Sequence, residues 1–227
     1  MNTFTHFFTG YLVGRYGFKQ KEIKNDHFIC FFASIAAILP DLDSFMHLLF
    51  PIKPLEHAVF THTLIGAYLL AFIYASIIWI VGKNFLKELE IKYKSLILIA
   101  ILAITSHLIL DIFTYRENIY TTDAHLYFWP IWNASFHLNY FFHQSKYPNI
   151  YTIRIIIEII YSSILAGIIF IYGWIEKKEN PFLMISPTHW LNYLPDNIEK
   201  QDYKKISYIL LIINLVILCI LAIGSLD

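Results

Sequence analysis

Long apolar segments recur along the whole chain of 227 residues, and they constrain its fold more than any other feature. Hydrophobic residues make up 57% of the sequence and charged residues only 15%, against about 25% charged residues in ordinary soluble domains. In a bilayer, a backbone satisfies its hydrogen bonds only as a helix or a closed barrel. We therefore expect an all-α, polytopic membrane bundle of about six transmembrane or membrane-embedded helices.

The apolar segments follow one another without a separate polar domain, so we expect a single membrane-embedded domain over residues 1–227. Its core, about residues 3–135, carries the unusual polar residues. The second segment runs into Pro40, and both a short span and a broken helix fit that pattern. Apolar helices are expected at about residues 2–18, 27–39, 57–81, 95–113, 152–174 and 205–223.

Basic residues are distributed unevenly between the connections. Thirteen of the 17 Lys and Arg residues fall in three of them, residues 15–26, 83–94 and 176–205. Because basic connections stay in the cytoplasm, both termini are expected on the other side of the membrane. A net charge of zero offers no extended basic face, so we expect no nucleic-acid partner.

Histidines and aspartates occur at helix ends that this topology places on one face of the membrane. Pro40 is flanked by Asp41 and Asp43 at the end of an apolar run, where an ionised carboxylate is costly unless it has a partner. His107 and Asp111 are four residues apart and share one face of their helix. The predicted metal ligands are His6, Asp41, Asp43, His57, His62, His107 and Asp111.

Imidazole with carboxylate suits zinc best, and manganese or iron also fit. The seven predicted ligands are enough for one or two ions. The two cysteines, Cys30 and Cys219, both lie in apolar runs, so we expect neither a disulfide nor a thiolate site. The remaining histidines, such as His125, His137 and His143, are expected at the surface.

Five short motifs follow one another along the chain: Thr5-His6 with Gly10, Leu39–Asp43, His57–Thr63, Ser106–Asp111 and Phe128-Trp129-Pro130. In this order they resemble the YdjM-like family of inner-membrane proteins, which are regarded as metal-dependent hydrolases. A weaker likeness is to zinc-dependent phospholipase C. Ala58 and Val59 stand where the family has arginine and glycine, and Arg116 or Arg154 is the candidate to replace that arginine. The resemblance covers about residues 3–135.

Together these features predict a membrane-bound hydrolase that cleaves a phosphoester in a lipid or interfacial substrate through a metal-activated water. Either Asp43 or Asp111 is expected to act as general base. A metal or proton transporter and a non-catalytic, metal-stabilised scaffold are the alternatives. A transporter would place its ionisable residues near the middle of the bilayer, and a scaffold would close the coordination sphere with protein ligands.

Overall fold

The computed structural model describes residues 3–17, 26–43, 49, 60–112, 128, 131, 150–177 and 180–224. Within these ranges the chain is helical and has no β-strand, which confirms the predicted all-α class. The described α-helices are α1 (Thr3–Tyr16), α2 (Asp26–Ile38), α3 (Leu64–Glu88), α4 (Tyr93–Ile112), α5 (Ile150–Tyr172), α6 (Pro187–Trp190) and α7 (Lys200–Gly224).

Three of the described helices are long and apolar enough to cross a membrane. They are α3, α4 and the Lys200–Ile220 part of α7. Two shorter apolar helical stretches, His27–Asp41 and Ile159–Ile175, lie in the regions of α2 and α5. The polytopic membrane character of the fold is therefore confirmed, and the number of about six spans stays a prediction.

Helix α2 forms the centre of the bundle. Every residue from Phe28 to Leu39 is buried, as expected for a helix that is apolar on all sides. Helix α1 packs very closely against it, because a Cβ atom added to Gly10 would lie 2.5 Å from the carbonyl oxygen of Ala33. Such close contacts between glycine-containing helices are common in membranes. They hold the start of α1 next to the end of α2.

Proline and threonine define the turns on either side of the predicted site. Helix α2 ends at Ile38, and a 3-10 turn, Leu39–Asp41, follows because proline cannot continue an α-helix in its interior. The hydroxyl oxygen of Thr63 accepts a hydrogen bond from the Gly66 N–H at 3.0 Å and so caps α3. The predicted start of this helix near residue 57 is wrong, because residues 60–63 form a turn before it.

The opposite end of the bundle is covered by residues 181–194. Trp190 is fully buried there, and its indole N–H donates to the carbonyl oxygen of Met184 at 2.9 Å. Its ring packs edge to face on Phe28, near the start of α2. In the apolar interior, Tyr74 of α3 donates a hydrogen bond to the side-chain oxygen of Asn214 of α7. These contacts attach α7 and the preceding residues to the core.

Candidate metal centre

Six of the seven predicted ligands lie together at one end of the bundle. Successive helices run in opposite directions, so the start of α1, the end of α2, the turn before α3 and the end of α4 meet there. All six are largely or completely removed from solvent. They are His6, Asp41, Asp43, His62, His107 and Asp111.

Three donor atoms form a compact triangle at the centre of this cluster. Nε2 of His107 lies 3.2 Å from Nε2 of His62 and 3.0 Å from Oδ2 of Asp111. The third edge, from His62 Nε2 to Asp111 Oδ2, is 3.5 Å. The donor atoms of a tetrahedral zinc ion are about 3.3–3.6 Å apart, given bond lengths of about 2.0–2.2 Å. The longest edge lies in this range and the other two are slightly shorter, so the triangle is close to the size that three ligands of one ion span.

Hydrogen bonds at the other ring nitrogen fix the orientation of both imidazoles. Nδ1 of His107 donates to the carbonyl oxygen of Ala37 at 2.8 Å. Nδ1 of His62 donates to Oδ2 of Asp43 at 3.0 Å, and the hydroxyl of Thr61 donates to the same oxygen. A protonated Nδ1 leaves a lone pair on Nε2, which is the arrangement found in metal-ligating histidines. Two such Nε2 atoms face each other here.

Asp41 lies on the side of the cluster that is open to solvent. Its side chain is 14% exposed, whereas the side chains of His62 and His107 are completely buried. Its Oδ1 atom lies 3.7 Å from His107 Nε2 and 3.9 Å from His62 Nε2. The hydroxyl of Thr3 donates to its Oδ2 atom at 3.3 Å. Asp41 thus approaches the triangle from outside without being part of it.

His6 occupies the other side, where it stacks on His107 with a centroid separation of 3.7 Å. Its Nε2 atom lies 3.3 Å from Oδ1 of Asp111, the carboxylate oxygen that the triangle does not use. This contact is an ion-pair contact, and neither His6 nitrogen has a hydrogen-bond partner among the described residues. Because His6 is completely buried, ring nitrogens without hydrogen-bond partners are costly in free energy.

The cluster attracts positive charge. Three carboxylates lie in it, and its histidines are neutral when they present lone pairs. Burial alone would lower the pKa of His62, which precedes α3, but the neighbouring carboxylates of Asp43 and Asp111 raise the pKa to about 10. The carboxylates of Asp43 and Asp111 therefore favour positive charge at this position.

Not every predicted residue can be placed in this cluster. His57 lies outside the described residues, as do His125, His137 and His143. Asp43 is present but belongs to neither of the described groups of three donor atoms that could hold an ion, which are His6, Asp41 and His107, and His62, His107 and Asp111. Among the described residues, Asp43 reaches the cluster through its contact with His62.

Sequence reasoning missed the groups that orient the ligands. Thr61 directly precedes His62, and Thr3 lies three residues before His6. This proximity to predicted ligands is the only sequence signal for either threonine. The carbonyl oxygen of Ala37 has no sequence signal, because every residue carries one.

Fold and site together define a class: helical, multi-pass membrane proteins with a buried histidine and aspartate cluster at one end of the bundle. A family model described as YdjM inner membrane protein matches residues 1–223 of the chain. The protein therefore belongs to the YdjM inner membrane protein family, and the predicted resemblance is confirmed. No curated protein and no solved structure matches the chain. The likeness to zinc-dependent phospholipase C is not shown.

Proposed function

We propose that the protein is a membrane-bound, metal-dependent hydrolase that cleaves a phosphoester in a lipid or other interfacial substrate. His62, His107 and Asp111 hold the ion in this proposal, and Asp43 orients His62 instead of binding the ion itself. Zinc fits these donors best, and manganese or iron fit the same set.

The observation that carries the proposal is the 3.2 Å separation of the Nε2 atoms of His62 and His107. When both rings are neutral, with Nδ1 of each engaged as a donor, both Nε2 atoms present lone pairs, which repel each other unless something positive lies between them. A proton on His62 would remove this repulsion, but it brings only one positive charge to three carboxylates. A divalent ion brings two, and it satisfies both nitrogens and the Asp111 oxygen at once.

Asp41 is the residue we assign to proton uptake. A bound divalent ion lowers the pKa of a water molecule and polarises a phosphoryl group. Asp41 is the only carboxylate of the cluster in the described residues with appreciable solvent exposure, and the Thr3 hydroxyl orients it. It therefore lies where water and substrate arrive, and it can accept the proton of the attacking water. Asp43 and Asp111, the bases expected from the sequence, are engaged by histidines instead.

A lipid substrate is supported by the surface around the cluster. Phe4, Ile65 and Ile109 follow or precede site residues closely in the chain, and they are 67%, 49% and 50% exposed. In a membrane protein such side chains face lipid, so the cluster lies within reach of molecules dissolved in the bilayer. The cluster also lies at helix ends, which favours hydrolysis over transport, because a transport site is expected near the bilayer midplane.

Metal content tests the proposal most directly. Protein purified in detergent is analysed for bound metal, and it is compared with His107→Ala and Asp111→Ala. The matched control is His27→Ala, which removes a buried histidine at the opposite end of α2. We expect a bound ion in the parent and the control, and loss of the ion in both site variants. Equal metal content in all four proteins would refute the proposal.

Activity separates an enzyme from a metal-stabilised scaffold. The metal-loaded protein is incubated with mixed micelles of phospholipids or lipid pyrophosphates, and released phosphate or phosphorylated headgroup is measured. Asp41→Asn should abolish release while it retains the bound ion. Metal binding without any turnover, in the parent protein as in Asp41→Asn, would favour the scaffold.

We also propose that the cluster faces the extracytoplasmic side, because the basic connections lie at the other end of the helices. Lys87 near the end of α3 is exposed at that opposite end. In a cysteine-free background, a cysteine at position 87 should be protected from an impermeant thiol reagent in intact cells, and one at position 53 should react. The reverse labelling pattern would move the cluster to the cytoplasm.

A further inference from the structure

We propose that the cluster holds a second divalent cation, bound by His6 and by Oδ1 of Asp111, with Asp111 bridging the two ions. This inference rests on the proposed function, which supplies the first ion at His62, His107 and Asp111 Oδ2. The second ion is bound by His6 and by Oδ1 of Asp111, which do not bind the first ion in this arrangement.

The first argument comes from His6. It is completely buried, and neither ring nitrogen has a hydrogen-bond partner among the described residues. Yet Nε2 lies 3.3 Å from Oδ1 of Asp111, which is about the spacing of two ligands on one zinc or similar ion. A buried imidazole that meets a carboxylate oxygen at ligand spacing without a hydrogen bond is explained by an ion that both bind.

The second argument comes from the direction of the rings. His6 and His107 are stacked, with ring planes only 24° apart. Two imidazoles that bind the same tetrahedral ion must converge on it, whereas stacked rings carry their nitrogens side by side. The stacking therefore suits neighbouring ions better than a shared one. The two oxygens of Asp111 point to these two positions, one to His6 and the other to His107.

The third argument is the charge of the cluster. Asp41, Asp43 and Asp111 carry three negative charges when ionised, and one divalent ion leaves an excess of one negative charge. A second divalent ion reverses the excess to one positive charge. Asp41 contributes to this balance, because its carboxylate lies near the donor atoms of His6 and His107. The remaining positive charge matches an anionic phosphoester, and paired ions stabilise both the attacking and the leaving oxygen of such a substrate.

Metal stoichiometry tests the inference. The detergent-purified protein is dialysed against zinc or manganese, and bound metal per chain is measured for the parent, His6→Ala, His6→Gln, His107→Ala and the control His27→Ala. We expect two ions in the parent and in the control, and one in each His6 variant. Gel filtration and circular dichroism identify any variant that fails to fold, and such a variant is left out of the comparison.

A spectroscopic measurement on the parent protein tests the pair of ions directly. In the manganese-loaded parent, two bridged ions couple magnetically, so the electron paramagnetic resonance spectrum should show the multiline signal of a coupled pair. In His6→Gln it should collapse to the six-line signal of one isolated ion. One ion in the parent with an uncoupled spectrum would overturn the second position and leave the proposed function standing. Absence of any bound ion would instead overturn the proposed function.

Discussion

The contact between Asp43 and His62 gives the sharpest test of how the cluster is built. Asp43 is fully buried, and its Oδ2 atom accepts hydrogen bonds from His62 Nδ1 at 3.0 Å and from Thr61. Sequence spacing predicts that Asp43 is a direct ligand, whereas the structure places its carboxylate behind the ring of His62. The two roles differ in what a substitution does to metal affinity.

Asp43→Asn keeps an oxygen that can accept from Nδ1 but removes the charge, and Asp43→Ala removes both. Loss of a group that orients a metal-ligating histidine typically lowers metal affinity about 10–100-fold. We therefore expect about tenfold weaker binding in Asp43→Asn and about 100-fold in Asp43→Ala, which correspond to about 1.4 and 2.7 kcal/mol. The larger value applies to alanine because it also leaves the buried Nδ1 and Thr61 hydroxyl groups without their acceptor.

Competition with a chromophoric zinc chelator in detergent measures these affinities. Asp202→Asn is the matched control, because Asp202 is exposed in the first turn of α7, far from the cluster along the helices. If Asp43→Asn loses the ion as completely as His107→Ala, Asp43 is a ligand and the orienting role is refuted. If its affinity equals that of the control, the contact does not support the metal centre at all.

Three further predictions follow from the described contacts. Gly10→Leu should destabilise the protein by about 1–3 kcal/mol or prevent folding, because the new side chain enters the contact with Ala33. Thermal unfolding in detergent measures this loss, and an unchanged midpoint would contradict the close packing of α1 on α2. Asn214→Leu should cost about 1 kcal/mol in the same assay, because Tyr74 loses the side-chain oxygen of Asn214 and keeps only the more distant carbonyl oxygen of Phe32 as acceptor, while metal content should stay at the parental value. Thr3→Val should leave bound metal unchanged but lower the rate of phosphoester cleavage, since only the orientation of Asp41 is affected. A loss of bound metal that parallels the loss of cleavage rate would instead make Asp41 a ligand.

The fold class and the convergence of polar residues could be predicted because both depend on patterns along the chain. Apolar length identified the helices, and basic residues gave their alternating directions. Alternation then places His6, Asp41, His62 and His107 at common ends of the helices. Helix boundaries near turns are harder to predict. Thr63 caps α3, but nothing in the apolar pattern distinguishes the turn at residues 60–63 from the helix that follows.

The division of roles within the cluster could not be predicted. Asp41 and Asp43 are two residues apart and chemically identical, so only side-chain direction separates the one near solvent from the one behind His62. The pairing of His6 with one oxygen of Asp111 depends on the packing distance between α1 and α4. Spacing along the sequence does not contain that distance.

The hydrogen bond from His107 to Ala37 links the proposed metal centre to the length of a neighbouring helix. The last carbonyl groups of an α-helix have no partner within it, and α2 stops at Ile38, so the Ala37 oxygen is one of these groups. A chain in which Pro40 is displaced by one position would offer a different carbonyl, aimed about 100° away around the helix axis. A relative could therefore keep every histidine and aspartate and still lose the correct tautomer of His107 through a one-residue insertion.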